Sequence, residues 1–113
     1  MSKTNSVRLI GNIGNNIQLN KTKSNTDVCS FSFATHERLK NQAGQYESVT
    51  EWHNIVCFGS VASLVSTHCE KGTKLMIEGR NKTRSYTTEG CEQRYVTEVI
   101  CEEVLFLDSK KQA

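Results

Sequence analysis

The sequence predicts an all-β fold in which five strands are accompanied by one short helix between the third and fourth strands. Two observations carry this prediction. The 113 residues include no proline and many β-branched and aromatic residues, a composition that favours sheets. Five segments alternate their side chains with a period of two, whereas one segment carries apolar residues at helical spacing.

The strands follow one another along the chain and are separated by polar segments. We predict them at residues 6–13, 28–35, 50–59, 75–86 and 94–107. Gly11 and Gly14 indicate a bend, as a strand needs when it curls into a small barrel, and a short continuation is expected at 17–19. The polar segments predict turns or hairpin tips, at residues 21–27, 38–47 and 87–91.

The spacing of apolar residues becomes helical after Gly59. Ser60 is expected as the N-cap and Gly72 as the stop of a helix of two to three turns. Its apolar stripe consists of Val61, Leu64, Val65 and His68. Five strands with a helix in this place is the order of the oligonucleotide/oligosaccharide-binding barrel, the OB-fold, although other small barrels share that order.

Composition limits the class of protein. The chain is 36% hydrophobic and 23% charged with a net charge of +2, which permits a polyanionic partner without demanding one. We expect one domain at 1–107 and a short polar tail at 108–113. There is no apolar run long enough for a membrane span and no apolar signal segment among the first residues, so a cytoplasmic location is expected.

Neither a metal site nor an enzyme is expected. The five cysteines are odd in number and include no C-x-x-C pair, so we expect reduced thiols, mostly in the core. His53 and Cys57 would lie about 13 Å apart on a strand, at roughly 3.3 Å per residue, too far for a Cys–His dyad. No phosphate-cradling loop or nucleophile motif is found, and no cofactor is expected.

Residues 50–59 raise the central question about function. On a strand, Trp52, Asn54 and Phe58 share one face, and His53 lies on the other. The face with the two aromatic rings is either part of the core or a platform on which flat ligands stack. His53 is either a satisfied interior histidine or an interface residue.

The fourth predicted strand places three cations and a ring on one face. Arg80, Lys82, Arg84 and Tyr86 alternate in sequence, which is also typical of a merely solvated strand face. Combined with Trp52, these residues predict a groove for single-stranded nucleic acid, where rings stack on bases and cations follow the phosphates. Duplex bases are already stacked and cannot use such rings.

A series of short motifs resembles the bacterial single-stranded DNA-binding protein family. The first is Asn5-Ser6-Val7 with Ile10-Gly11-Asn12-Ile13-Gly14. The others are Ala34-Thr35, Thr50-Glu51-Trp52-His53, Phe58-Gly59, Lys71-Gly72, Ile77-Glu78-Gly79, Thr83-Arg84-Ser85-Tyr86 and Arg94-Tyr95-Val96-Thr97-Glu98-Val99. The resemblance covers residues 5–107.

The resemblance implies an OB-fold that assembles as a homotetramer, a dimer of dimers. Such proteins bind and protect single-stranded DNA during replication, recombination and repair, with little sequence preference and without catalysis. The family's stacking positions correspond to Trp52, Phe58 and Tyr86, and its interface positions to His53 and Met76.

The chain departs from the family pattern in three places. Leu39 stands where a further tryptophan is usual, and Asn54 stands where a basic residue is usual. The family's long tail with an acidic tip has no counterpart in residues 108–113, so the resemblance implies either a short, tailless member or a truncated chain. Recruitment of other replication proteins by that route is therefore in doubt.

A second function is compatible with the same residues. A primosome-type OB-fold adaptor is a short dimer that acts mainly through protein partners. The short chain favours the adaptor, whereas Trp52-His53 and Arg84-Ser85-Tyr86 favour the DNA-binding protein. The oligomeric state distinguishes the two.

Overall fold

The computed structural model describes residues 4–107, which form six strands and one helix. The elements are β1 (Val7–Ile13), β2 (Gln18–Lys21), β3 (Asp27–Lys40), β4 (Tyr46–Phe58), α1 (Ser60–His68), β5 (Lys74–Thr87) and β6 (Gln93–Phe106). The short β2 is the expected continuation of the first strand, so the prediction of five main strands with a helix between the third and fourth is confirmed. The predicted tail at 108–113 lies outside the described residues.

The sheet closes into a barrel because β1 pairs on both of its edges. The strand order is β1-β5-β6-β4-β3-β2, and β1 also pairs with β3 through Asn12↔Ala34 and Ile13↔Phe33. Gly11, where the sequence predicts a bend, directly precedes the two residues through which β1 pairs with β3. A Cβ atom on Gly11 would collide with the backbone carbonyl of Ala34, so the two strands approach closely only because residue 11 is glycine.

The barrel interior is filled by one face of each strand together with α1. In β4, Ile55 and Cys57 are fully buried, and Ala62 and Val65 of α1 pack into the same core. The other core residues come from the remaining main strands, namely Ile13, Cys29, Phe31, Phe33, Leu75, Ile77, Val99 and Cys101, with Cys69 just after the helix.

The five cysteines are free thiols, and four of them are buried. Cys57 lies directly across from Cys29 on β3 and Cys101 on β6. Hydrogen bonding with Cys101 and Cys29, together with burial, raises the pKa of the Cys57 thiol. A protonated, buried thiol is a poor nucleophile, so Cys57 serves as core packing, and Cys29 and Cys101 are buried beside it. Cys91 is exposed at a hairpin turn.

Two long hairpins extend beyond the barrel. We call residues 36–50 the β3–β4 arm and residues 82–98 the β5–β6 arm, and neither contains a buried residue. The predicted loop at 38–47 is wrong at both ends, because pairing continues to Lys40↔Tyr46 and only residues 41–45 lie between the strands. Apolar alternation is absent from this segment because neither face of the arm reaches the core.

The helix also differs from expectation at its ends. Its N-cap is Gly59, with a φ of 66°, and no side chain caps the first turn, so the predicted cap at Ser60 is wrong. The helix ends at His68 and not at Gly72. Gly72 instead has a φ of 95° in the turn before β5, where its backbone N–H donates to the carbonyl of Ile13 at 2.7 Å.

Replacing Gly79 by alanine should destabilise the barrel. The β5–β6 register shifts between Glu78 and Gly79, and a Cβ atom on Gly79 would collide with the backbone carbonyl of Ile100. Since a backbone group cannot rotate away, we expect the free energy of unfolding to fall by about 1–3 kcal/mol, measured by urea denaturation at a fixed protein concentration. Gly90→Ala is the matched control, because the nearest atom to its added Cβ lies 3.9 Å away. Equal urea midpoints for both variants would contradict the close β5–β6 approach.

Candidate nucleic-acid interface

Trp52 and Phe58 lie on the outside of the barrel. Their exposed fractions are 61% and 44%, whereas Ile55 and Cys57 on the other face of β4 are fully buried. Of the two interpretations of this face, core or platform, the structure excludes the core for both rings. The physical reason is that closure turns the odd-numbered side chains of β4 inward, which leaves the even-numbered rings in solvent.

The indole ring of Trp52 packs against Gly14. Trp52 lies across from Ala34 in β3, and a Cβ atom on Gly14 would collide with the far edge of its indole ring. Gly14 is held in place because its N–H donates to the carbonyl of Ser32 at 2.8 Å. The indole therefore has a firm support on one side and remains mostly exposed on the other.

A groove of about 340 Å³ separates β3 and β4 from the β5–β6 arm. It brings together Asn54 and Arg84, which are 30 residues apart in sequence and were both candidates for nucleic-acid binding. Polar side chains line most of the remaining wall, namely Asn15, Ser30, Ser32 and Glu98. Such a lining offers hydrogen-bond donors and acceptors to a polar ligand.

Arg84 forms an ion pair with Glu98, and both residues line the groove. Its Nε donates to Glu98 Oε1 at 3.1 Å and its second terminal nitrogen donates to Oε2 at 3.3 Å. The hydrogen bond and charge of Glu98 raise the pKa of the Arg84 guanidinium above its usual value. Glu98 has a side chain only 15% exposed, so the pair is a fixed part of the groove.

The other two cations predicted along β5 differ in their surroundings. Arg80 donates to Glu102 at 3.3 Å, whereas Lys82 makes no ion pair with any of residues 4–107. Two of the three predicted cations are therefore partly neutralised by glutamates of β6. The sequence of β5 alone could not show this, because the register with β6 places the carboxylates beside the arginines.

Tyr86 lies on the same face of the β5–β6 arm as Arg84. Its side chain is 48% exposed and it pairs across the arm with Arg94. All three rings predicted to stack on bases are therefore accessible to solvent.

Sequence reasoning missed an exposed ring, Tyr46, at the far end of the β3–β4 arm. Tyr46 is 61% exposed, and the side chains of Arg38 and Lys40 lie over its ring. It was missed because residues 38–47 were assigned to a loop. A signal was present, since rings at 46, 52 and 58 recur every six residues and so share one face of an extended strand.

Comparison with known proteins identifies the family. The model of the single-strand binding protein family matches residues 4–107. The chain belongs to this family. The resemblance described from the sequence motifs is thereby confirmed.

Similar proteins from two bacteria are named Single-stranded DNA-binding protein 1. The protein of Chlorobaculum tepidum is 37% identical over 107 residues, covering 94% of this chain and 66% of the relative. That of Xylella fastidiosa is 32% identical over 112 residues, covering 98% of this chain and 82% of the relative. The chain thus spans about two thirds of the length of the first relative.

Solved structures share the barrel. A Plasmodium falciparum SSB in complex with ssDNA superposes with a TM-score of 0.86 at 26% identity, covering 96% of this chain and 98% of that one. A deletion mutant of the Thermus aquaticus single-stranded DNA binding protein gives a TM-score of 0.82 at 23% identity, covering 94% of this chain and 51% of that one. The expected OB-fold is confirmed by these neighbours.

The two expected interface residues of this family member lie in different surroundings. His53 is half-buried, and its Nε2 shares a hydrogen bond of 3.0 Å with the Thr35 hydroxyl. Met76 is half-buried between Ile10 and Leu105, which are 51% and 52% exposed on the neighbouring strands. These three side chains form a row across β1, β5 and β6, which we call the apolar row.

Within residues 4–107, His, Cys, Asp and Glu side chains form no group of three or more placed to hold a metal ion. The helix in the same range is too short to cross a membrane.

Replacing Gly14 by alanine should displace the Trp52 ring. The added methyl group would occupy the place of the indole edge, and the exposed ring can yield by moving into solvent. We expect a red shift of the intrinsic fluorescence and stronger acrylamide quenching, both readable because Trp52 is the only tryptophan. Gly90→Ala is again the control. An unchanged emission maximum and unchanged acrylamide accessibility in Gly14→Ala would show that Trp52 does not rest on Gly14.

Proposed function

We propose that this chain binds single-stranded DNA by stacking bases on Trp52, Phe58 and Tyr86. The observation that carries the proposal is the exposure of all three rings on a barrel of the single-strand binding protein family. A buried ring contributes to stability alone, whereas an exposed ring offers a face to a base. Base–aromatic stacking contributes about 1–3 kcal/mol per base and tolerates any base, since each has a π-face.

The three cations of β5 are expected to contribute differently to DNA binding. Lys82 makes no ion pair within residues 4–107 and can contact a phosphate, whereas Arg80 and Arg84 share their charge with glutamates. Arg84 fixed beside Asn54 in the groove is best suited to positioning the strand. Asn54 replaces the family's usual basic residue, and Leu39 replaces its further tryptophan. The affinity of each subunit for single-stranded DNA is therefore expected to be lower than in members that have both residues.

The proposed biological role follows from family membership. The chain would bind and protect single strands during DNA replication, recombination and repair, in the cytoplasm, with little sequence preference. We propose no catalytic activity and no cofactor. The exposed rings favour this role over the adaptor, which acts mainly through protein partners and has no need of them.

Oligo-dT should quench the fluorescence of Trp52 at low salt. A base stacked on the indole ring changes the environment of Trp52 and thereby its fluorescence. Duplex DNA of the same length offers no free base face and should quench far less. The affinity should fall as salt increases, because phosphate contacts release counterions. No quenching by oligo-dT at low salt would overturn the stacking role of Trp52.

The matched variants are Trp52→Ala and Trp52→Phe. With a labelled oligonucleotide and anisotropy as the readout, Trp52→Ala should weaken binding roughly 5- to 150-fold without changing the salt slope. Trp52→Phe retains a ring and should lose less affinity. A changed salt slope in Trp52→Ala would contradict the assignment of Trp52 to stacking.

We further propose that the chain forms a homotetramer, a dimer of dimers, with His53 and Met76 at subunit contacts. The apolar row supports this, because Ile10 and Leu105 expose half of their side chains on either side of Met76. Exposed apolar side chains in contact with one another are typical of interaction surfaces.

Met76→Glu should convert the assembly into smaller species. A carboxylate in the apolar row would be desolvated without a partner on association. Light scattering should show a tetramer for the wild type and a dimer or monomer for the variant. Leu64→Glu, at an exposed position of α1, is the control and should remain a tetramer. A stable wild-type dimer would favour the adaptor, and a tetrameric Met76→Glu would remove Met76 from the interface.

A further inference from the structure

Glu98 lies within reach of two cations of β5. In the β5–β6 register it is directly opposite Lys82, whereas Arg84 is opposite Val96 and thus diagonal to Glu98. Directly opposite side chains on antiparallel strands have Cβ atoms about 4.5–5.5 Å apart, and diagonal neighbours remain within reach of long side chains. One carboxylate therefore serves two cations that are candidates for binding phosphate.

In the structure, Glu98 pairs with the diagonal cation. Its two oxygens accept from Arg84 at 3.1 and 3.3 Å, and Lys82 makes no ion pair with any of residues 4–107. The side chain of Glu98 is 15% exposed, whereas that of Arg84 is 56% exposed. The carboxylate is therefore fixed in the wall of the groove, and the cations beside it extend into solvent.

The other arginine of this face of β5 has a carboxylate of its own. Arg80 donates to Glu102 at 3.3 Å. Glu102 lies at the register shift between β5 and β6 and has no directly opposite residue in β5. This pair has no second cation to recruit from the facing strand, which distinguishes Glu102 from Glu98.

The groove supplies no further cation to Glu98. Among the described residues that line the groove, Arg84 is the one cation, and the facing strand contributes Asn54. Lys82, Arg84 and Glu98 together therefore carry one net positive charge. The sum matters for a polyanion, because each phosphate that a protein neutralises releases counterions.

We propose that Glu98 is a positioning residue that limits Lys82 and Arg84 to one phosphate contact between them. Glu98 retains one of the two cations, and the other cation binds a phosphate of the single strand. When Arg84 binds the phosphate or is removed, Lys82 pairs with Glu98, which its flexible four-carbon stem allows. This inference rests on the proposed function. Glu98 thus weakens DNA binding, although it lines the groove.

The first test is a double-mutant cycle on the salt slope of binding. Anisotropy follows a labelled oligo-dT of about 10 nucleotides, within the roughly 4–16 that one OB-fold covers. Lys82→Gln and Arg84→Gln should each make the slope shallower by about 0.7, the value of one phosphate contact on a single strand. The double variant should lose no more than either single variant, because Glu98 already holds the cation that each single variant retains.

Arg80→Gln is the matched control for Arg84→Gln. Both substitutions remove an arginine of β5 that is paired with a glutamate of β6. Arg80→Gln should leave the salt slope as in the wild type, because Lys82 keeps its phosphate contact. If the ion pairs had a structural role alone, the two variants would behave alike.

Glu98→Gln provides the second measurement. The amide keeps the shape of the side chain and removes its charge, so both cations can bind phosphate. The slope should become steeper by about 0.7, and the affinity at low salt should rise. In this background Lys82→Gln and Arg84→Gln should act additively. Glu70→Gln removes an exposed carboxylate outside the groove, controls for net charge and should bind as wild type.

The contrary outcomes are distinct. An additive loss of about 1.4 in the double variant would show two independent phosphate contacts and overturn the proposal. An unchanged slope in Arg84→Gln, or wild-type slope and affinity in a folded Glu98→Gln, would overturn it as well. If urea denaturation showed that Glu98→Gln does not fold, the cycle on Lys82 and Arg84 would decide alone. Absence of Trp52 quenching by the same oligonucleotide in the wild type would overturn the proposed function instead.

Discussion

The double pairing of β1, with β5 on one edge and with β3 on the other, is the constraint on which the molecule depends. It closes the sheet, and it requires glycine at position 11, where the carbonyl of Ala34 fills the space of a side chain. Closure decides which face of each strand becomes interior. Ile55 and Cys57 are buried for that reason, and Trp52 is left outside on its support at Gly14.

The distribution of charge follows from strand pairing in the same way. Glutamates of β6 lie beside the arginines of β5. They partly neutralise β5, although its sequence alone predicts a strongly basic strand face. In the β3–β4 arm, alternation places Arg38 and Lys40 on one face and Glu47 on the other. The sign of the potential at a candidate site is thus a property of paired strands, and a single strand does not reveal it.

Most of the barrel could be predicted from the sequence because its strands have one buried face, and burial imposes a visible alternation of apolar residues. The strand ends in the β3–β4 arm could not, since both faces of that arm are solvated and any polar side chain is tolerated there. The same cause hid Tyr46 from sequence reasoning. The N-cap of the helix at Gly59 was missed because no side chain caps the first turn, so there was no capping residue to recognise.

The sequence by itself determined the class of fold, the family, and the three rings and the cations that are candidates for binding. Those inferences depend on local periodicity and on motifs, which are written along the chain. Only the tertiary structure decided that Trp52 and Phe58 face solvent and that Asn54 and Arg84 share a groove. It also decided that Arg84 pairs with Glu98, whereas Arg38 has no ion pair within residues 4–107. Each of these depends on which residues from distant strands become neighbours, and barrel closure and strand register set those neighbours.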